Sequence, residues 1–263
     1  DFLTFILCFV FVFEISAQTK KFDWGKSEYT GRPWIKNTSR PNTITDGLND
    51  RHFSIWSSHG RYYDVNKGYW KWQRPNLFGT TEDLYTQTIV IPYLLPMLEN
   101  AGAVVISPRE RDWQKQEVIV DNDNPKITGI ISYSEVNNKK KWETIEGSGF
   151  AYHQGTYADG ENPFIAGSAR KIKSRKRNSK LSYVAYQPNI PEDGDYAVYV
   201  SYKTIKKSVD DAEYIVFHKG QETHFRVNQQ MGGGTWVYLG TFAFDKGCNI
   251  FNRVILTNHS KHR

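Results

Sequence analysis

Ile190-Pro191-Glu192-Asp193-Gly194-Asp195-Tyr196-Ala197-Val198-Tyr199-Val200-Ser201-Tyr202 passes from turn chemistry into a strand within thirteen residues. Proline presets one backbone angle and glycine accepts angles that a β-carbon resists, so residues 191–194 read as a turn. Residues 196–202, rich in aromatic and β-branched side chains, read as a strand. The same alternation extends outward on both sides. Further strands are expected at 181–187, 213–218, 224–228, 236–244 and 250–256, punctuated by Lys219-Gly220, Gly232-Gly233-Gly234 and Lys246-Gly247. Six or more antiparallel strands at this spacing predict a β-sandwich, and the two-residue period begins near residue 128. No repeat is long enough for a solenoid or a propeller.

Upstream the pattern is different. Residues 52–57 alternate as a short strand and end in Ser58-His59-Gly60, where the chain turns. Thr81 caps a helix whose first turn carries Glu82 and Asp83, acids that complement the helix dipole. Pro92 and Pro96 lie inside that helix and predict a kink. Gly102 supplies a stop, and residues 103–107 fit a buried strand. Strand, loop, helix and strand over 51–127 make an α/β crossover unit, which puts His59 and Glu82 at the end of the sheet where such folds hold their sites. The predicted fold class is an α/β unit followed by an all-β sandwich module at 128–263.

Residues 2–13 are almost wholly apolar, are short for a bilayer, and run into Ser16-Ala17. They read as the core and cleavage region of a signal peptide at 1–18, which predicts export with no stable membrane insertion once the leader is removed. The chain opens at Asp1 without a basic segment, so the leader is expected to be partial and the chain a fragment. Residues 19–50 read as an irregular lead-in. Cys8 falls in the leader, so Cys248 stands alone in the mature chain and reads as a small buried residue. The net charge of +6 resides largely in Lys139-Lys140-Lys141 and in residues 171–180, each read as a solvated loop. No nucleic-acid-binding motif accompanies them, and nucleic acid is excluded as a partner. Aromatic residues make up 15% of the chain, more than a core requires, and their flat faces suit both β packing and stacking on sugars.

Two family resemblances follow from these residues. Residues 190–196, then Asp211-Ala212-Glu213-Tyr214 with His218, Val227-Asn228-Gln229-Gln230, and Gly232 through Gly240 resemble the golvesin/xanthan-lyase carbohydrate-binding-like domain in order and spacing, over about 145–258. The resemblance implies a module that engages polysaccharide, with Trp236 as the candidate glycan-binding platform; a core tryptophan is the alternative at that position.

The first half resembles zinc-dependent N-acetylmuramoyl-L-alanine amidases. Ser58-His59-Gly60, Glu82-Asp83-Leu84, and Arg109-Glu110-Arg111-Asp112 after Ile106 carry the likeness. It implies zinc held by His59 and Glu82, Arg109 and Asp112 bracing the site from the next strand, and cleavage of the muramoyl-alanine amide of peptidoglycan outside the bacterial cytoplasm. Imidazole and carboxylate are sound ligands for a zinc ion that keeps an open position. Trp56, Tyr62, Tyr63, Trp70 and Trp72 are candidates to wall a glycan groove. The family also needs a second His and a catalytic Glu. His153, His218 and His224 read as structural, which puts the returning half of the domain beyond Arg263. Two other readings remain: a non-catalytic glycan-binding protein, and a polysaccharide-active protein of xanthan-lyase type.

Overall fold

The computed structural model describes residues 31–57, 59–109, 111–112, 116–124, 126–127, 130–152, 158 and 160–262. The leader, the lead-in before residue 31, Glu110 and His153 lie outside the described residues. The chain runs through β1 (Ile35–Asn37), β2 (His52–Ser54), β3 (Arg61–Asp64), β4 (Tyr69–Trp72), β5 (Asn76–Leu77) and β6 (Thr80–Thr81). It continues with α1 (Glu82–Ile89), α2 (Leu95–Asn100), β7 (Val104–Ile106), β8 (Lys126–Ile127), β9 (Ile130–Ile131), β10 (Tyr133–Val136), β11 (Glu143–Gly149) and β12 (Gly167–Lys171). The remaining strands are β13 (Tyr183–Tyr186), β14 (Gly194–Val200), β15 (Ala212–His218), β16 (Gln221–Val227), β17 (Val237–Phe244) and β18 (Arg253–Thr257).

A six-stranded sheet in the order β1-β16-β15-β18-β13-β10, antiparallel throughout, forms one layer of the sandwich. The antiparallel pair β14–β17 supplies the other. Alternate residues of β15 fill the space between them: Ala212, Tyr214 and Val216 are buried, and Tyr214 sits opposite both Phe225 of β16 and Leu256 of β18. Tyr196, Val200, Val237, Leu239 and Phe244 meet them from the β14–β17 layer in one apolar cluster. The β15–β16 hairpin turns on Lys219 and Gly220, both with positive φ (47° and 77°), the two-residue geometry that matches strand twist. Each strand expected between residues 181 and 256 is present, within a few residues of its expected ends. Inside the segment read as lead-in, Ile35–Asn37 pairs with Phe225–Val227 and extends the sheet by an edge strand.

β2 and β7 pair in parallel, His52 opposite Val104 and Ser54 opposite Ile106, with the helical segment between them in sequence. Thr81 caps α1 by accepting the Leu84 N–H at 3.2 Å. The kink expected at the prolines is a π-helical turn at Val90–Leu94. Pro92 has no N–H for the helix ladder, and the chain widens by one residue per turn before α2 resumes with Pro96 in its first turn. Leu95, Ala103 and Val105 pack beneath β2 against Phe53 and Ile55. Val104 faces the opposite way and joins the sandwich core.

The start of β2 is tied down by His52, whose Nε2 accepts the backbone N–H of Trp34 at 2.9 Å. Burial holds the imidazole below its usual pKa, against the opposing pull of the Asp50 carboxylate. The fold therefore favours neutral His52. Its contribution is complete above the ordinary imidazole value of 6.5 and is lost as pH falls through the lower folded value. Unfolding stability should decline as pH is lowered through the imidazole range, and His52→Ala should flatten that part of the profile. Phe225, 2% exposed at the centre of the main cluster, should cost about 3–5 kcal/mol on change to Ala, read by urea unfolding.

Candidate functional site

His59 follows β2 by a short turn. Gln73 N–H donates to Gly60 O at 3.0 Å, which folds the β3–β4 hairpin back so that the next residue, Arg74, comes beside the His59 ring. Arg74 Nε donates to His59 Nδ1 at 3.0 Å and lies 3.8 Å from Glu82 Oε2. The two residues expected as ligands thus converge on a single guanidinium nitrogen. Asp83, fully buried, accepts the Arg74 backbone N–H on Oδ2 at 2.8 Å. Its Oδ1 has no hydrogen-bond partner among the described residues and lies 3.8 Å from His59 Nδ1. An imidazole and two carboxylates from the first turn of α1 surround the positive charge of Arg74; these are ligand types that zinc takes, and in this structure the guanidinium is the cation they face. Asp83 and Arg74 are members of the cluster that the sequence did not single out; the signal available was an acid adjacent to the expected ligand, read there as a dipole partner alone.

Arg109 and Asp112 separate in the structure. A β-carbon on Gly60 would overlap Arg109 Nη1, so the guanidinium lies directly on the backbone next to His59, with the Trp56 ring centroid 5.9 Å away. Asp112 points elsewhere: its Oδ2 accepts the Ala197 N–H at 3.1 Å, at the β14 strand of the sandwich. The hairpin beside the cluster is aromatic and wet. Trp56 is 68% exposed and Trp70 63%, Tyr63 meets Trp70 edge to face at 5.8 Å, and Lys71 Nζ stands 5.2 Å over the Tyr62 ring. Rings as exposed as these suit stacking on a sugar face better than they suit a core.

Of the three histidines weighed as a further ligand, the two that lie among the described residues make structural contacts. His218 bonds Thr223 Oγ1 at 3.0 Å and packs on Phe242, with burial lowering its pKa; His224 lies 3.3 Å from Glu222. Among the described residues, the group of three acid or imidazole side chains able to close on one point is Asp210, Asp211 and His262, remote in sequence from His59.

Trp236 sits at the end of β17, 39% exposed, in an aromatic cluster with Phe150 at 4.9 Å and Phe164 at 5.7 Å between ring centroids. The three rings line one end of a cleft of about 1470 Å³ whose walls include Tyr186, Tyr199 and Arg170. The indole is partly packed against these rings and partly exposed.

Residues 147–263 match the Golvesin C-terminal domain. That span takes in β12 through β18 and coincides closely with the resemblance read at about 145–258. A stretch of 64 residues is 34% identical to a xanthan lyase of Bacillus sp. (strain GL1), covering 24% of this chain and 7% of that protein. A solved xanthan lyase structure from Paenibacillus aligns over 53% of this chain and 11% of its own, with 21% identity and a TM-score of 0.38. The chain therefore corresponds to a small part of either relative.

Because Trp236 is held by two ring contacts, Trp236→Ala should leave the fold intact at a cost of about 1–2 kcal/mol. The same substitution should remove any tryptophan fluorescence change that polysaccharide produces at this cleft.

Proposed function

We propose that this chain is part of an exported cell-wall hydrolase of the zinc-dependent N-acetylmuramoyl-L-alanine amidase type, whose Golvesin C-terminal domain holds polysaccharide. The observation that carries the reading is the convergence of His59 and Glu82 on Arg74 Nε, at the end of a parallel strand pair bridged by a capped helix. His59 and Glu82 would hold the metal, with Asp83 Oδ1 beside them. A zinc ion bound there would acidify a water and polarise an amide carbonyl. The chain's own residues do the rest of what can be assigned. Trp56 and Trp70 present exposed faces for a glycan strand, and Arg109 covers Gly60 and keeps positive charge beside the imidazole. Among the described residues no second imidazole joins this pair.

A second reading, a non-catalytic polysaccharide-binding protein, is favoured by the family match at 147–263 and by the half-open Trp236 cluster alone. The two separate on one experiment. The natural gene product, purified whole, is assayed for bound zinc and for release of peptide from muramoyl-alanine amides, beside His59→Ala and Glu82→Ala. Near-stoichiometric zinc and activity, both lost in each variant, support the amidase. A metal-free protein that binds polysaccharide and cleaves no amide overturns it in favour of the second reading.

A further inference from the structure

The two basic runs, thirty residues apart in sequence, meet in space. Lys140 from the loop after β10 and Lys173, Arg175, Lys176 and Arg177 from the loop after β12 line a single groove of about 480 Å³, with Ser174 as its other lining residue. No carboxylate lines it. Among the described residues none of these five cations has an acidic partner within ion-pair distance. Unpaired like charges so close together repel, and on free loops they would splay apart.

These loops are not free. Ser182, fully buried, donates its hydroxyl to Lys140 O at 2.6 Å and accepts the Asn138 N–H at 2.9 Å. Asn258, 4% exposed, donates from Nδ2 to Lys173 O at 3.1 Å, accepts the Ser182 N–H on Oδ1 at 2.9 Å, and accepts the Arg175 N–H on its carbonyl at 2.8 Å. Ser260 N–H closes the set on Arg175 O at 3.1 Å. Two buried polar side chains, one just before β13 and one just after β18, therefore clamp the backbones of both loops. The positive groove is held open before any ligand arrives.

We propose that this groove binds an anionic polysaccharide, one carrying carboxylate or phosphate groups along its chain. Repeated charge is what five unpaired cations recognise. No aromatic ring lines the groove to stack a base, which single-stranded nucleic acid sites provide, and no apolar side chain lines it to anchor in a bilayer. The choice of polysaccharide among polyanions rests on the polysaccharide reading of the Golvesin C-terminal domain. The groove lies apart from His59 and Glu82 and does not depend on amide cleavage.

The test is binding of the full chain to polygalacturonate, to a neutral glucan, to single-stranded DNA and to vesicles of anionic phospholipid, over a series of salt concentrations. Polygalacturonate should bind with strong salt dependence. Lys176→Glu/Arg177→Glu should weaken it by about tenfold or more as counterion release is lost, and Lys140→Glu, on the other loop, should weaken it too. Lys67→Glu/Lys246→Glu, the same charge change elsewhere, should have little effect, and melting curves check that all variants fold. Equal loss in this control pair means a diffuse net-charge effect and overturns the groove. Equal binding of the neutral glucan, insensitive to the groove variants, overturns the anionic specificity while leaving the polysaccharide reading standing. Tighter groove-dependent binding of DNA or vesicles than of polygalacturonate overturns the choice of partner.

Discussion

Trp34 uses every polar group it has to join separate parts of the chain. Its backbone N–H goes to His52 Nε2 at the start of β2, its carbonyl accepts the Asn228 N–H at 2.8 Å at the end of β16, and its indole N–H reaches Tyr202 Oη at 2.7 Å. The indole ring fills the space that a β-carbon on Gly232 would need, and Gly232 has a φ of +68° that other residues resist. Tyr202 passes the connection on by donating to Met231 O at 2.8 Å, and burial pushes its phenol up to about 12, so the donor proton is retained across neutral pH. Loss of the Trp34 contact would loosen the edge strand, the glycine run and β2 together.

That node joins the N-terminal strand pair, which keeps a cluster of its own under β2, to the sandwich core. Val104 of β7 belongs to the buried cluster of the sandwich, and Ile106 packs against that cluster. Arg111, just beyond β7, is paired with Glu99 at the end of α2 at 2.7 Å and lies 4.2 Å over the Tyr238 ring of β17. The acidic partner holds its guanidinium pKa above the usual value despite the cost of burial, so the cation stays charged where helix, strand and sandwich meet. Asp112 completes the joint by capping the Ala197 N–H. Within the Arg-x-x-Asp stretch read as bracing a metal site, the Asp serves the junction with the sandwich, and Arg109 lies over Gly60, next to His59 in sequence.

The parts that sequence made legible are those governed by local physics. A two-residue period with turn residues at its breaks locates β13 to β18, Thr81 before two acids locates the helix start, and two prolines locate the π turn. What stayed hidden depends on contacts across the chain. β1 is three residues long and exists because β16 offers it an unpaired edge. Asp83 is indistinguishable in sequence from a solvent-facing first-turn acid until the return of the β3–β4 hairpin brings Arg74 N–H onto it. The direction of Asp112 depends on where β14 lies, which no spacing within 109–112 encodes.

The basic runs carry the same lesson in a sharper form. Read singly, Lys139 to Lys141 and Lys171 to Lys180 are solvated loops, since a charge run in a polar context has no reason to be ordered. The feature that overrules this reading is a pair of polar residues flanking strands, Ser182 just before β13 and Asn258 just after β18, which are buried where an apolar side chain would pack at lower desolvation cost. Their cost is offset because each hydrogen-bonding group they bring inside finds a loop backbone partner. A fold that needed only to bury these positions would gain from Ala or Val there. Polar residues at both positions hold the two loops in register, and that register places five like charges around one groove.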